Sequence, residues 1–336
     1  MNRAVRAIAL SIVAVISSSA VAGCGAARAA LGIHEPPKAN PASAPLTVEQ
    51  ARRILSRDFT AAQQAESTTG APAQAALRTA YTGEALRAAK ARVKLAAIQP
   101  TAGDSPLLTP PQPRLLAVSR GFGYPRFMVA QTVAAKGSLP ILYLLTSPDA
   151  ATPYRISASA TMLLSSSVGA FDPLSQGSPL VTDGTGIAVG GAALLKAYAE
   201  GMAFPAKAVT NPPFAADPFS SQVRATAVAV SKEVAAQASF SQVHKVVANS
   251  VYAVRQVNGD ALVFGVLERT DSVAVKSGQA VNTVANKAFV LLSGKQKVTR
   301  SASITTVELV VFSVPRETGK ATLVAASEQV VAGSGA

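Results

Sequence analysis

The 336-residue chain predicts an α+β fold, built twice in tandem. Three observations predict it. Helical spacing of apolar residues gives way to a spacing of two in each half, which marks helices followed by strands. The helical stretches open at Leu46 and Gly190, an offset of about 145 residues, as an internal repeat requires. Runs of helix before runs of strand argue against alternating βαβ units. A turn-rich stretch, Ser165–Thr185, lies between the halves. The expected plan is a first domain over 46–165, a linker over 166–185 and a second domain over 186–336.

In the first half, Thr47 with Gln50 three residues on is a capping box, and Ala51, Ile54, Leu55, Phe59 and Ala62 follow at helical spacing. Pro72–Ile98 gives more helix, broken at Gly83, with Leu77, Leu86, Ala89, Val93 and Ala97 on the buried side. Thr101–Pro113 is turn-rich and closes the helical part. Strands are expected over 114–119, 126–135, 139–146 and 154–164, the middle two joined as a hairpin by Ala135-Lys136-Gly137-Ser138. In the second half, helices are expected over 190–202 and, after a Pro-rich stretch, 218–238, where Pro218 suits a first helical turn. Strands follow over 240–257, 261–276, 303–314 and 321–331. Asn258-Gly259 signals a tight turn, and Ala288–Leu292 reads as a short strand.

The N-terminus carries an address. Arg3 and Arg6 precede an apolar run, Ala7–Ile16, that relaxes into Ser17-Ser18-Ser19-Ala20, the order of a secretory signal. A membrane-spanning helix needs about 20 strongly apolar residues, more than this run supplies. Val21-Ala22-Gly23-Cys24 resembles the lipobox of bacterial lipoprotein precursors, which implies cleavage between Gly23 and Cys24 and a diacylglyceryl group on the Cys24 sulfur. Cys24 is the only cysteine, so its lipidation leaves the mature chain without a thiol for disulfide, metal or nucleophile. Each buried methylene contributes about 0.8 kcal/mol, so two or three acyl chains anchor firmly. Residues 24–45, with Pro36, Pro37, Pro41 and Pro45, read as a flexible tether reaching about 25 Å.

The order of helices on a curved antiparallel sheet resembles the cone of the nuclear transport factor two-like (SnoaL-like) architecture, in both halves. The Leu46-Thr-Val-Glu-Gln-Ala-Arg-Arg-Ile-Leu start and the helical stretch before Pro113-Arg114-Leu-Leu-Ala-Val resemble a family of uncharacterised actinobacterial lipoproteins. That resemblance implies a location on the outer face of the cell membrane and two tandem cone-like domains, and no reaction.

Net charge is +13, and losing Arg3 and Arg6 with residues 1–23 leaves +11. This balance favours anionic neighbours, either lipid head groups or acidic envelope polymers. Nucleic acid is not an expected partner, because there is no Trp and no basic run with interleaved rings. Arg87, Lys90 and Lys94 share one helix face and form a candidate anionic-surface face, with a plain solvent-facing side as the competing reading. Gly121-Phe122-Gly123-Tyr124-Pro125-Arg126 is a candidate binding loop, in which Phe122, Tyr124 and Arg126 would act. Two aromatic rings tucked onto the core explain it as well.

Catalytic signatures are sparse. His34 lies in the tether, His244 sits in a strand beside Lys245 and reads as a surface or core-edge residue, and Asp58 beside Arg57 reads as part of a charged, solvent-facing side. There is no nucleophile elbow, and Val189-Gly190-Gly191-Ala192 is not followed by the Lys-Ser/Thr of a phosphate loop. The 18 acids are dispersed, so no metal and no cofactor are expected. The expectation is a lipid-anchored, non-catalytic binding or scaffold protein. Two alternatives remain: a carrier for an apolar ligand, which needs a large apolar cavity, and a cyclase-like enzyme, which needs a buried carboxylate with an Arg or His partner.

Overall fold

A computed structural model describes residues 43–68, 70–96, 98, 113–133, 138–207 and 209–336. The chain divides into Met1–Asn40 and Pro41–Ala336, and the second unit is not divided further. Cys24, Gly23, His34 and nearly all of the tether lie outside the described residues. Among the described residues no helix is long and apolar enough to cross a membrane.

The capping box forms as read. Thr47 accepts from the Gln50 N–H while the Gln50 side chain accepts from the Thr47 N–H, opening α1 (Val48–Ser67). Helices α2 (Gly70–Ala80) and α3 (Gly83–Leu95) follow, separated near Gly83 as expected. Four strands come next: β1 (Arg114–Val118), β2 (Arg126–Val133), β3 (Pro140–Ser147) and β4 (Arg155–Met162). The second half begins with α4 (Gly191–Gly201) and α5 (Pro218–Val234). The side chain of Asp217 caps α5 by accepting from Ser220 N–H at 2.7 Å.

The strand expected over 240–257 is two, β5 (Ala238–Val246) and β6 (Tyr252–Arg255). Asn249 between them sits at φ 57°, a left-handed turn that Asn tolerates and an extended strand does not. Both pieces pair with the same long strand, β7 (Ala261–Val275). Beyond a small ribbon, β8 (Val281–Asn282) with β9 (Lys297–Val298), lie β10 (Ser301–Val314) and β11 (Thr322–Gly335). The apolar piece at 288–292 is not a strand. It is a helix, α6 (Lys287–Ser293), started by the Asn286 side chain accepting from Phe289 N–H and ended by Gly294 at φ 70°. Flanking cap residues override a short apolar run that fits strand or helix equally.

The principal difference from expectation is the sheet. Its order is β1-β2-β3-β4-β11-β10-β7-β5, antiparallel throughout, with β6 beside β7. The last strand of the chain lies between the halves: Ala325 and Ala326 of β11 pair with Met162 and Thr161 of β4. Separate cones are therefore replaced by one open sheet. The stretch 166–185 is not a free linker, because Ser178 N–H donates to Val118 O and Val181 N–H donates to Ala253 O, binding it to both halves.

Each face of the sheet has its own core. One face carries Phe127, Val129, Leu142 and Leu144 from the first half and Leu262, Phe264, Val266, Leu309 and Val311 from the second, in a single cluster. Bulges in the β1–β2, β3–β4 and β10–β11 pairs add the twist and bend that bring these residues together. On the opposite face, α1–α3 cover Met128, Ala130, Ile141, Tyr143 and Leu145, and α4 covers Val263, Leu267, Val310 and Phe312. Burial on both faces explains why β3, β7 and β10 read as near-continuous apolar runs.

Candidate functional site: a polar-floored cavity

Along the outer face of the second half, alternate residues change character from one strand end to the other. Val263, Leu267, Val310 and Phe312 lie under α4. Further along the same face come His244 and Gln242 of β5, Arg269 and Asp271 of β7, Thr306 and Glu308 of β10 and Glu328 of β11. Beyond these polar residues the face turns apolar again, and there a cavity of about 810 Å³ opens. Its walls are Phe240, Val273, Ile304 and Val330 from the sheet and Phe219, Val223, Ala227 and Val230 from α5; the segment 281–289 and Ile98 complete it. Gly333 and Gly335 let α6 lie close on β11, since a side chain at Gly335 would meet Val298 at 2.7 Å and the Phe289 ring at 3.2 Å.

The polar floor is a connected network. The Gln242 amide nitrogen donates to Met202 O at 2.9 Å, which fixes which end of the amide points where. The same nitrogen lies 2.9 Å from His244 Nε2, so it donates there and Nε2 accepts. His244 Nδ1 then carries the proton and donates to Glu308 Oε2 at 2.8 Å. Neither side chain of this His–Glu pair has any solvent exposure. Arg269 Nη1 donates to Glu308 Oε1 at 3.0 Å and to Glu328 Oε2 at 2.7 Å, Nη2 donates to Thr306 Oγ1 at 3.4 Å, and Nε lies 3.2 Å from Asp271 Oδ2. Asp271 Oδ1 is buried with no hydrogen-bond partner.

Burial weighs against the Arg269 charge, but Asp271, Glu308 and Glu328 more than offset it and hold its pKa above the ordinary guanidinium value. Burial raises the Asp271 carboxyl above the usual carboxylate range, against the pull of Arg269. Among the described residues, no group of three or more His, Cys, Asp or Glu is arranged to hold a metal ion.

The structure scatters the residues singled out by sequence. His244, read as surface or core-edge, belongs to the buried network. Asp58, read as solvent-facing, is fully buried on α1 with Oδ1 accepting from Arg57 at 2.7 Å, and desolvation raises its pKa to about 7. Of the helix face, Arg87 is tied to Glu84 at 3.1 Å and to Glu268 of β7, whereas Lys90 and Lys94 are exposed. Phe122 and Tyr124 are not tucked onto the core; they are 43% and 40% exposed, with the Arg126 guanidinium 4.3 Å above the Tyr124 ring. Arg126 also donates to Phe122 O. None of these residues lines the cavity.

Sequence reasoning missed Gln242, Arg269, Asp271, Glu308 and Glu328. A signal existed. Glu308 interrupts the apolar run Val307–Phe312, and a carboxylate at a core position needs a partner, which in turn points to the two-residue pairs Gln242/His244 and Arg269/Asp271.

Residues 42–335 match the family described as a domain of unknown function, DUF8094, and the chain belongs to that family. No curated protein and no solved structure matches the chain.

Proposed function

We propose that this DUF8094 member is a lipid-anchored envelope protein that binds a small amphipathic ligand in the cavity on its second half, without transforming it. In this reading Cys24 carries the lipid, residues 25–42 tether the body to the outer face of the cell membrane, and the cavity receives the ligand. The cavity carries the proposal. About 810 Å³ falls within the 300–1,000 Å³ usual for small-molecule sites, and apolar walls with a few converging polar groups are their usual lining. The resemblance to two nuclear transport factor two-like cones adds nothing to this reading, since the cavity lies on the outer face of one shared sheet, under α5 and α6.

A proton-transfer enzyme is the second reading, favoured by the buried Glu308 with its His244 and Arg269 partners. Geometry favours binding over it. Both His244 ring nitrogens are engaged within the protein, His244 does not line the cavity, and a general base must reach the proton it removes.

The test is native mass spectrometry, with lipid extraction, of the full mature protein released from its own host membranes in mild detergent. A stoichiometric small molecule that is released on denaturation, and absent when Val223 and Val230 are both replaced by Phe to fill the cavity, supports the binding reading. A bare wild-type chain overturns it. An acyl-modified Cys24 in the same spectra supports the anchor independently, and an unmodified thiol overturns that part alone.

A further inference from the structure

An arginine in the floor of an apolar cavity ordinarily suggests a ligand with a carboxylate or phosphate head. Here that guanidinium is already ringed by carboxylates. Its donors face Glu308, Glu328 and Thr306, and its Nε faces Asp271. A fatty acid head brought to this floor would be a fourth carboxylate around one guanidinium, beside Asp271, Glu308 and Glu328.

The remaining charges point the same way. Titratable groups lining the cavity are Glu233 on α5, Arg269 and Asp271 on β7, Lys287 on α6 and Glu328 on β11, and Glu308 stands directly behind. Four carboxylates face two cations. Asp271 Oδ1 adds a separate observation, because it is a buried acceptor without a donor at the junction of the polar floor and the apolar wall. A buried acceptor left unpaired costs about 1–3 kcal/mol, and a ligand that supplies the donor recovers it.

We propose that the cavity selects an apolar ligand whose head is a cationic hydrogen-bond donor, an aliphatic ammonium, seated on Asp271 with its tail along Val273, Val330 and Phe289 and the α5 wall. This rests on the cavity being a binding site and names what it takes. The ammonium donates to Asp271 Oδ1 and adds the positive charge the floor lacks. Arg269 acts here as a positioning residue: it forms an ion pair with Asp271 at 3.2 Å and hydrogen-bonds Glu308 and Glu328, turning them toward itself.

The experiment compares three ten-carbon probes, decylamine, decanol and decanoate, below their micelle concentrations at pH 7.5, by isothermal titration into the full mature protein. Decylamine is expected to bind at least tenfold more tightly than decanol, and decanoate more weakly than both. Asp271→Asn is expected to reduce the amine-over-alcohol ratio to below threefold while leaving decanol affinity within twofold, which separates loss of the head contact from loss of the fold. Decanoate binding as tightly as decylamine overturns the ammonium assignment and leaves the binding site standing. An unchanged amine-over-alcohol ratio in Asp271→Asn overturns the assignment of the head to Asp271. Binding of none of the three overturns this proposal and counts equally against the cavity as a small-ligand site.

Discussion

Replacing Asp58 by Asn is expected to flatten the pH dependence of stability across the acid-to-neutral range. The carboxyl is fully buried on α1, with Oδ1 held by Arg57 and Oδ2 without a partner. Desolvation is the largest influence on it, and Arg57 and Arg155 oppose it only in part, so its pKa rises from 3.8 to about 7. The folded protein therefore keeps a proton that the unfolded chain has released. Between those two values the native state binds more protons, and stability falls as pH rises. One pKa unit corresponds to about 1.36 kcal/mol, so a rise of roughly three units sets a ceiling of about 4 kcal/mol between pH 4 and pH 8. Asparagine keeps the shape and carries no titrating proton. Urea unfolding of wild type and Asp58→Asn at half-unit steps from pH 4 to pH 8 gives the comparison. The wild type should lose stability relative to the variant by about 2–4 kcal/mol over that range, with most of the loss complete by pH 7. Parallel profiles, or a wild type that gains on the variant as pH rises, would refute the argument and make Asp58 an ordinary ionised partner of Arg57.

Other expectations follow from single contacts. Glu308→Ala strands His244 and Arg269 without their shared acceptor, and a loss of about 3–5 kcal/mol is expected in denaturant unfolding; a loss below about 1 kcal/mol would mean the network is not closed. Gly265→Ala places a methyl group 2.1 Å from Leu195 Cδ1, a fully buried side chain, and overpacking of this kind costs about 1–3 kcal/mol, visible as a lower melting temperature. Replacing both Phe122 and Tyr124 by Ala should change stability by no more than about 0.5 kcal/mol, because both residues are exposed; a loss of about 1.5 kcal/mol or more would place them against the core after all. Cys24→Ala should move the protein from the membrane fraction to the soluble fraction and remove labelled palmitate incorporation, and continued labelling would disprove lipidation at this site.

Helices and strands were legible in the sequence wherever a local signal was complete. Thr47 and Gln50 announced α1 because both partners of the capping box lie within four residues. Asn258-Gly259 announced the β6–β7 turn for the same reason, with Gly259 at φ 88°. What failed was non-local. The expectation of two cones came from an order of elements that recurs, and order along a chain does not say which strands pair. The β4–β11 pairing joins residues more than 160 positions apart through small side chains, Ala325 and Ala326, that carry no distinctive pattern. His244 was misread because its neighbour Lys245 is a surface signal, while its real partners arrive from β10 and from Gln242 two residues earlier on the same face. Asp58 was misread in the same way: Arg57 beside it suggested a solvent-facing pair, yet the helix turns the acid inward among Leu55, Phe59 and Ala62.

Strand β11 lies in the interior of the sheet, between β4 of the first half and β10 of the second. Without residues 322–335, β4 and β10 would each present an unpaired edge. A chain lacking residues 322–336 would lose an interior strand and carry two edges open to pairing with other chains.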